Sequence, residues 1–294
     1  MRQSADARNP LQQQRAHERT LRLNLQGGWR PANRALRSLD YTLGYSVGRQ
    51  NGYFQDLITR DIFPISSALS DTTLVAGYGK SEYLNQTRVD GNPKSLYGRL
   101  ESVWFRQTGN VTHRPIAGTE WNTTVNKGRG RQFDPLTPPR QNYSMGDRPR
   151  AFADVPALHQ WAWYAEDRMT TNLHGHAWTI QAGVRLDQLS VVQQRRQWQA
   201  QLAPRINSRL EVVPGGFLRA GYGWMYKAPT LSYLYPNPTY YDLVNFNYFA
   251  TDPAERMVVM TTRRIVPDTR SVRSFKARKW EVGFDWASEK SRLN

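Results

Sequence analysis

Residues 178–187 read WTIQAGVRLD. Trp178, Ile180, Ala182, Val184 and Leu186 fall on one side of an extended chain, and Thr179, Gln181, Gly183, Arg185 and Asp187 on the other. An unbroken period of two over ten residues describes a strand with one apolar and one polar face, and no helix reproduces it. The alternation returns in LDYTLGYSVG at 39–48 and in KWEVGFDW at 279–286. It also runs through 205–212, where Ser208 interrupts the apolar side made by Ile206, Leu210 and Val212. In 218–226, Tyr222, Trp224 and Tyr226 oppose Gly221 and Gly223. These runs are about 9–11 residues long, the length a tilted strand needs to cross a bilayer, whereas strands of soluble proteins average about 5–6. Trp161, Trp163, Trp178, Trp224, Tyr226, Trp280 and Trp286 stand near the ends of the apolar faces. Rings with an apolar body and a polar tip favour the headgroup boundary. The pattern predicts an all-β, antiparallel transmembrane barrel.

Connections alternate between short and long. VPGG at 213–216, TTNLHGH at 170–176 and RQTGNVTH at 106–113 are short, while 49–95, 126–158, 188–203 and 228–276 are long and polar. Short periplasmic turns and long extracellular loops are the habit of outer-membrane barrels. The alternation places nine strands near 20–26, 37–48, 96–106, 112–125, 159–169, 174–188, 204–213, 216–227 and 277–287. An odd set with two unpaired edges does not close in lipid, so further strands are expected outside these residues. Residues 1–19 are set aside as a lead-in, 20–287 as a partial barrel and 288–294 as a truncated turn.

A net charge of +16 raises nucleic acid as a partner. The charges are dispersed, and the densest stretch, 263–279, including Arg263 and Arg264, reads as a solvated loop. No nucleic acid is expected. With no cysteine, thiol catalysis and zinc ribbons are excluded. MRQSADARNPLQQQRAHERT lacks the apolar core of a secretory signal.

YAEDRMTTNLHGHAWTIQAGVRLD at 164–187 resembles a strand–turn–strand of the TonB-dependent outer-membrane receptors. LAPRINSRLEVVPGGFLRAGYGWMYKAPTLSYLYP at 202–236 is similar to their next hairpin, and KARKWEVGFDW at 276–286 to a later strand. GTEWNTTVNKGRGRQFDPLTPPR and RPRAFADVPALHQWAWYAED resemble barrel segments of the branch whose precursors carry a carboxypeptidase-like domain. Lys227, Ala228, Pro229 and Leu231 match the family's aromatic-x-Ala-Pro-x-Leu exit. RSFKARKW stands where the family's Asn-Pro-x-Leu segment is expected, and no TonB box, plug or final aromatic-ended strand is recognisable. The resemblance implies the middle-to-late part of a barrel in the outer membrane. It further implies outer-membrane lipid and the TonB energy-coupling complex as partners, with no covalent chemistry and no cofactor. A ferric siderophore is the expected cargo and an oligosaccharide or vitamin the alternative. The family's haem receptors carry a His in the region beyond the Ala-Pro-x-Leu exit, where this chain has none.

Candidate binding residues are Tyr233, Tyr235, Tyr240, Tyr241, Phe246 and Tyr248, interleaved with Pro229, Pro236 and Pro238. Aromatics on a stiffened loop suit a ring-bearing chelate or a sugar, and packing of the loop on itself is the competing explanation. Arg185, Arg209 and Arg219 are expected on the lumen side, attracting an anionic chelate or pairing with acidic neighbours. His174 and His176 form a His-x-His pair without a third ligand in view, so a polar turn is expected and no metal. Glu166 and Asp167 point to opposite faces and cannot work as an acid–base pair. GRGR at 128–131 lacks the Lys-Ser/Thr of a phosphate loop and is expected to be a flexible loop. An outer-membrane enzyme needs a Ser–His couple for which no nucleophile-elbow pattern is present.

Overall fold

The computed structural model describes residues 11–32, 35–139, 147–191 and 197–286. Among these, the wall is a meander of antiparallel strands. These are β1 (Gln13–Trp29), β2 (Leu36–Thr59), β5 (Glu82–Gly91), β6 (Pro93–Trp104), β7 (Arg106–Thr108), β8 (Val111–Asn126), β10 (Leu158–Leu173), β11 (His176–Val191), β12 (Gln197–Val213), β13 (Gly216–Lys227) and β16 (Phe275–Trp286). The spatial order runs β1-β2-β6-β8-β10-β11-β12-β13-β16. These nine are the strands expected from the alternation. Among the described residues β1 and β16 are not joined, so the sheet stays open.

The register explains why the alternation is so clean. Trp178 lies opposite Leu210, Ala182 opposite Ile206 and Leu186 opposite Leu202. Leu218 and Tyr222 continue those rows from β13, and Phe284, Val282 and Trp280 from β16. This face leaves large apolar side chains exposed on β1, β2, β6, β10, β11, β12, β13 and β16, which in water would drive aggregation and in lipid is the required surface. From Trp178 to Leu186 the chain covers about 26 Å, roughly 20 Å of height at a tilt of about 40°. Several polar groups on this face are answered locally. The Trp178 indole N–H donates to Ser208 Oγ at 2.9 Å, which accounts for the hydroxyl that interrupts β12. Asp167, opposite in face to Glu166, meets His113 Nδ1 at 2.7 Å. Lys276 reaches over the Trp224 ring at 3.5 Å, a cation lodged at the aromatic boundary.

The turns at one end are tight. Leu173 pairs with His176 across the two-residue turn His174–Gly175, whose φ values are 51° and 88°. Positive φ at both positions is the type I′ hairpin geometry that matches strand twist. His174 is therefore a turn residue and His176 the first residue of β11.

At the other end the structure departs from the sequence reading. β1 starts at Gln13, inside the stretch set aside as a lead-in, and pairs along β2 as far as Gln55. β2 is 24 residues long, and its outer half pairs with β5, which continues through Asn92 into β6. The long polar connections are folded. They contain β3 (Pro64–Ile65), β4 (Thr72–Tyr78), β9 (Gly130–Gln132), β14 (Thr239–Tyr248), β15 (Met257–Ile265) and the short helix α1 (Leu231–Leu234). A second sheet has the order β14-β15-β4-β3. GRGR is a structured junction rather than a flexible loop. Arg131 and Arg150 exchange backbone hydrogen bonds at 3.0 and 3.1 Å, and Arg129 Nε meets Asp90 at 2.9 Å. Gly130, at φ 76°, lies where a Cβ would strike the Arg150 carbonyl oxygen, so only glycine fits.

Candidate functional site

Two surfaces carry the candidate residues: the polar face of the wall and the external sheet. On the wall, Arg99, Glu101, Glu120, Tyr164, Arg185 and Asp187 form a chain of contacts across β6, β8, β10 and β11. Arg185 reaches Glu120 at 2.7 Å and Asp187 at 2.8 Å. Tyr164 donates to Glu101 at 2.6 Å and accepts from Arg99 at 3.1 Å, while Arg99 pairs with Glu101. Glu166 accepts from Gln181 at 3.1 Å and from Arg205. Partly exposed pairs of this kind are worth about 0–1 kcal/mol each, so they set side-chain positions more than stability.

Arg185, Arg209 and Arg219 all belong to this polar face, but each already has a neighbour. Arg219 Nε meets Asp285 at 2.8 Å, and Arg209 stacks over Phe217 at 3.6 Å. Gly221 and Gly223 share the face, and Arg185, Arg205, Asn207 and Lys279 surround a cavity of about 360 Å³ above them. A side chain at Gly221 would lie 2.7 Å from Asn207 Oδ1, so the glycine keeps the cavity floor low.

Above the wall, β13 ends at Lys227 and the chain turns back. Ala228 and Leu231 pack against Leu158, Leu189, Leu234 and Tyr235, which cover the outer ends of β10 and β11. Tyr235 is 3% exposed and Tyr240 8%, so both are packing residues. Tyr233, Tyr241, Phe246 and Tyr248 remain open to solvent. Their arrangement depends on a bulge. Tyr241 lies opposite Arg263 and Leu243 opposite Thr261; the register then shifts between Val244 and Phe246, and Tyr248 lies opposite Met257. Without the extra residue, Phe246 and Tyr248 would point with Tyr240 into the packed side. With it, Tyr241, Phe246 and Tyr248 share one exposed face with Arg263.

Beneath that face lies a polar network the sequence did not signal. Arg148 is 4% exposed at its side chain and Asp242 12%; one guanidinium nitrogen reaches both carboxylate oxygens, at 2.9 and 3.0 Å. Arg148 Nε also donates to the Ala68 carbonyl at 3.0 Å. Thr262 donates to Asp242 at 2.8 Å, which leaves Ser66 as donor to Thr262 at 2.8 Å. Four loop segments are thereby tied together in the interior. No short motif marks these residues, because they lie up to 196 positions apart.

No curated protein and no solved structure gives a match to this chain. The family model described as TonB dependent receptor-like, beta-barrel, matches residues 2–294. With that match over a meander of lipid-facing strands under a folded external layer, the chain belongs to the TonB-dependent receptor family, within its β-barrel domain.

Proposed function

We infer that the protein acts in the cell outer membrane as a receptor and transporter coupled to TonB, as its family implies. We propose that its cargo is an anionic ferric siderophore, captured on the exposed face of the external sheet. The observation that carries this reading is the bulge in β14, which sets Phe246 and Tyr248 on the same face as Tyr241 and its partner Arg263. Aromatic rings beside a guanidinium suit a chelate that presents aryl rings and negative charge together. The mixed charges of the wall supply a polar path past which such a ligand travels, with the cavity over Gly221 and Gly223 as one resting place.

The test is quenching of intrinsic fluorescence in the purified receptor by a ferric tricatecholate, with a maltooligosaccharide as comparison. Each aromatic contact is worth about 0.5–1.5 kcal/mol, so Phe246→Ala and Tyr248→Ala weaken chelate binding roughly 2- to 12-fold each. Arg263→Gln weakens the chelate and leaves the sugar unaffected. Binding of the sugar alone, insensitive to Arg263→Gln, would replace this reading with glycan uptake.

A further inference from the structure

The arginines of the wall differ in whether a carboxylate answers them. Arg99, Arg185, Arg205 and Arg219 each face a carboxylate. At the short-turn end, Arg114 of β8 and Arg168 of β10 lie directly opposite one another in the register. Two cations in directly paired positions repel, and side chains so placed start only about 5 Å apart. Neither has a carboxylate partner among the described residues. The nearest acidic neighbour on the strand, Glu166, is occupied by Arg205 and Gln181, and Asp167 points to the lipid side with His113.

The surroundings have the makings of a receptor for negative charge. Thr112 and Thr170 also pair directly, two positions closer to the turn on the same face. Arg37, held over the Phe105 ring at 4.6 Å, approaches from the neighbouring hairpin. Arg37, Phe105, Thr112, Arg114, Arg168 and Thr170 line one cavity of about 600 Å³. The Thr112 hydroxyl already donates to Gln107 Oε1 at 2.9 Å, so three guanidinium groups and the Thr170 hydroxyl are the donors that face the cavity without an acidic acceptor among the described residues.

We propose that Arg37, Arg114 and Arg168, with the hydroxyl of Thr170, form an oxyanion site for phosphate or carboxylate at the short-turn end of the polar face. Planar guanidinium forks match the paired oxygens of either group, and an anion between Arg114 and Arg168 converts their repulsion into two charge-assisted bonds. The site is separate from the external sheet and independent of the cargo.

The experiment measures thermal unfolding of the purified receptor in detergent, with and without inorganic phosphate, for the parent, Arg114→Gln, Arg168→Gln and the control Arg219→Gln. Heat-modifiable migration on gels confirms that each variant is folded. A free phosphate ligand raises the parent's melting temperature, and either site variant weakens the apparent affinity about tenfold or more while the control does not. A carboxylate held by the protein itself gives no phosphate response but a lower melting temperature for both site variants than for the control. Neither response, or a higher melting temperature on removing one arginine, would show an unanswered repulsion and overturn the proposal.

Discussion

Changing Asp242 to Asn or Ala removes the carboxylate that, among the described residues, answers Arg148, which is 4% exposed at its side chain and bound on its other flank to the Ala68 carbonyl. Breaking a buried pair by deleting one partner costs about 3–5 kcal/mol, since the remaining charge is left without compensation. Asp242 is 12% exposed, so water answers part of the loss, and the low end, about 3 kcal/mol, is the appropriate figure. The network joins β14, β15 and the segments around Ser66 and Arg148, so the loss falls on opening of the external sheet rather than on the wall. A loss of about 3 kcal/mol multiplies the open population roughly 150-fold. Amide hydrogen exchange in outer-membrane vesicles reads this directly: β14 and β15 amides exchange roughly 150-fold faster in Asp242→Asn, while those of β11 and β12 are unchanged. The double variant Arg148→Met/Asp242→Leu removes both charges together and recovers most of the protection, because an apolar pair of similar volume leaves nothing unpaired. Exchange in Asp242→Asn within threefold of the parent would refute the claim that this pair holds the external layer in place.

Two further outcomes follow from other parts of the molecule. Val184, exposed on the apolar face of β11 between Trp178 and Leu186, lies in the hydrocarbon band, so Val184→Arg lowers folding stability in lipid vesicles by about 2–4 kcal/mol, while Asn207→Arg on the polar face costs less than 1 kcal/mol; equal effects would contradict the facial assignment. In the segment between β15 and β16, hydrogen bonds from the Arg270 guanidinium and backbone N–H hold the Asp268 carboxyl at about 2, below its ordinary 3.8. A depressed carboxyl contributes its pairing above 3.8 and loses it as pH falls through about 2; a carboxyl-carbon NMR titration shows that low midpoint in the parent and a return toward the ordinary value in Arg270→Gln, and a parent midpoint near 4 would refute the contact.

The alternating residues by themselves determined the wall. A face that must meet lipid admits only apolar or boundary-aromatic side chains at every second position, so 178–187 and 279–286 are written in the sequence with little freedom. The tight turns are equally local, since the left-handed geometry at His174–Gly175 is a property of two residues. The external layer was decided by tertiary structure. β5 buries Tyr83, Asn85 and Thr87, whose polar groups bond to Pro138 O, Thr137 O and Asn85 Oδ1 at 2.7, 2.8 and 2.9 Å. A strand whose inner face is polar has no hydropathy alternation, so it reads as a loop until its partners are in place. The candidate aromatics divide for the same reason. Six rings in 233–248 look alike in sequence, and only the packing around Leu234 and the bulge at Val244–Phe246 turn Tyr235 and Tyr240 inward and leave Tyr233, Tyr241, Phe246 and Tyr248 outward. Periodicity records what the solvent demands of a strand; which loop residues meet a ligand depends on contacts between segments far apart in the chain.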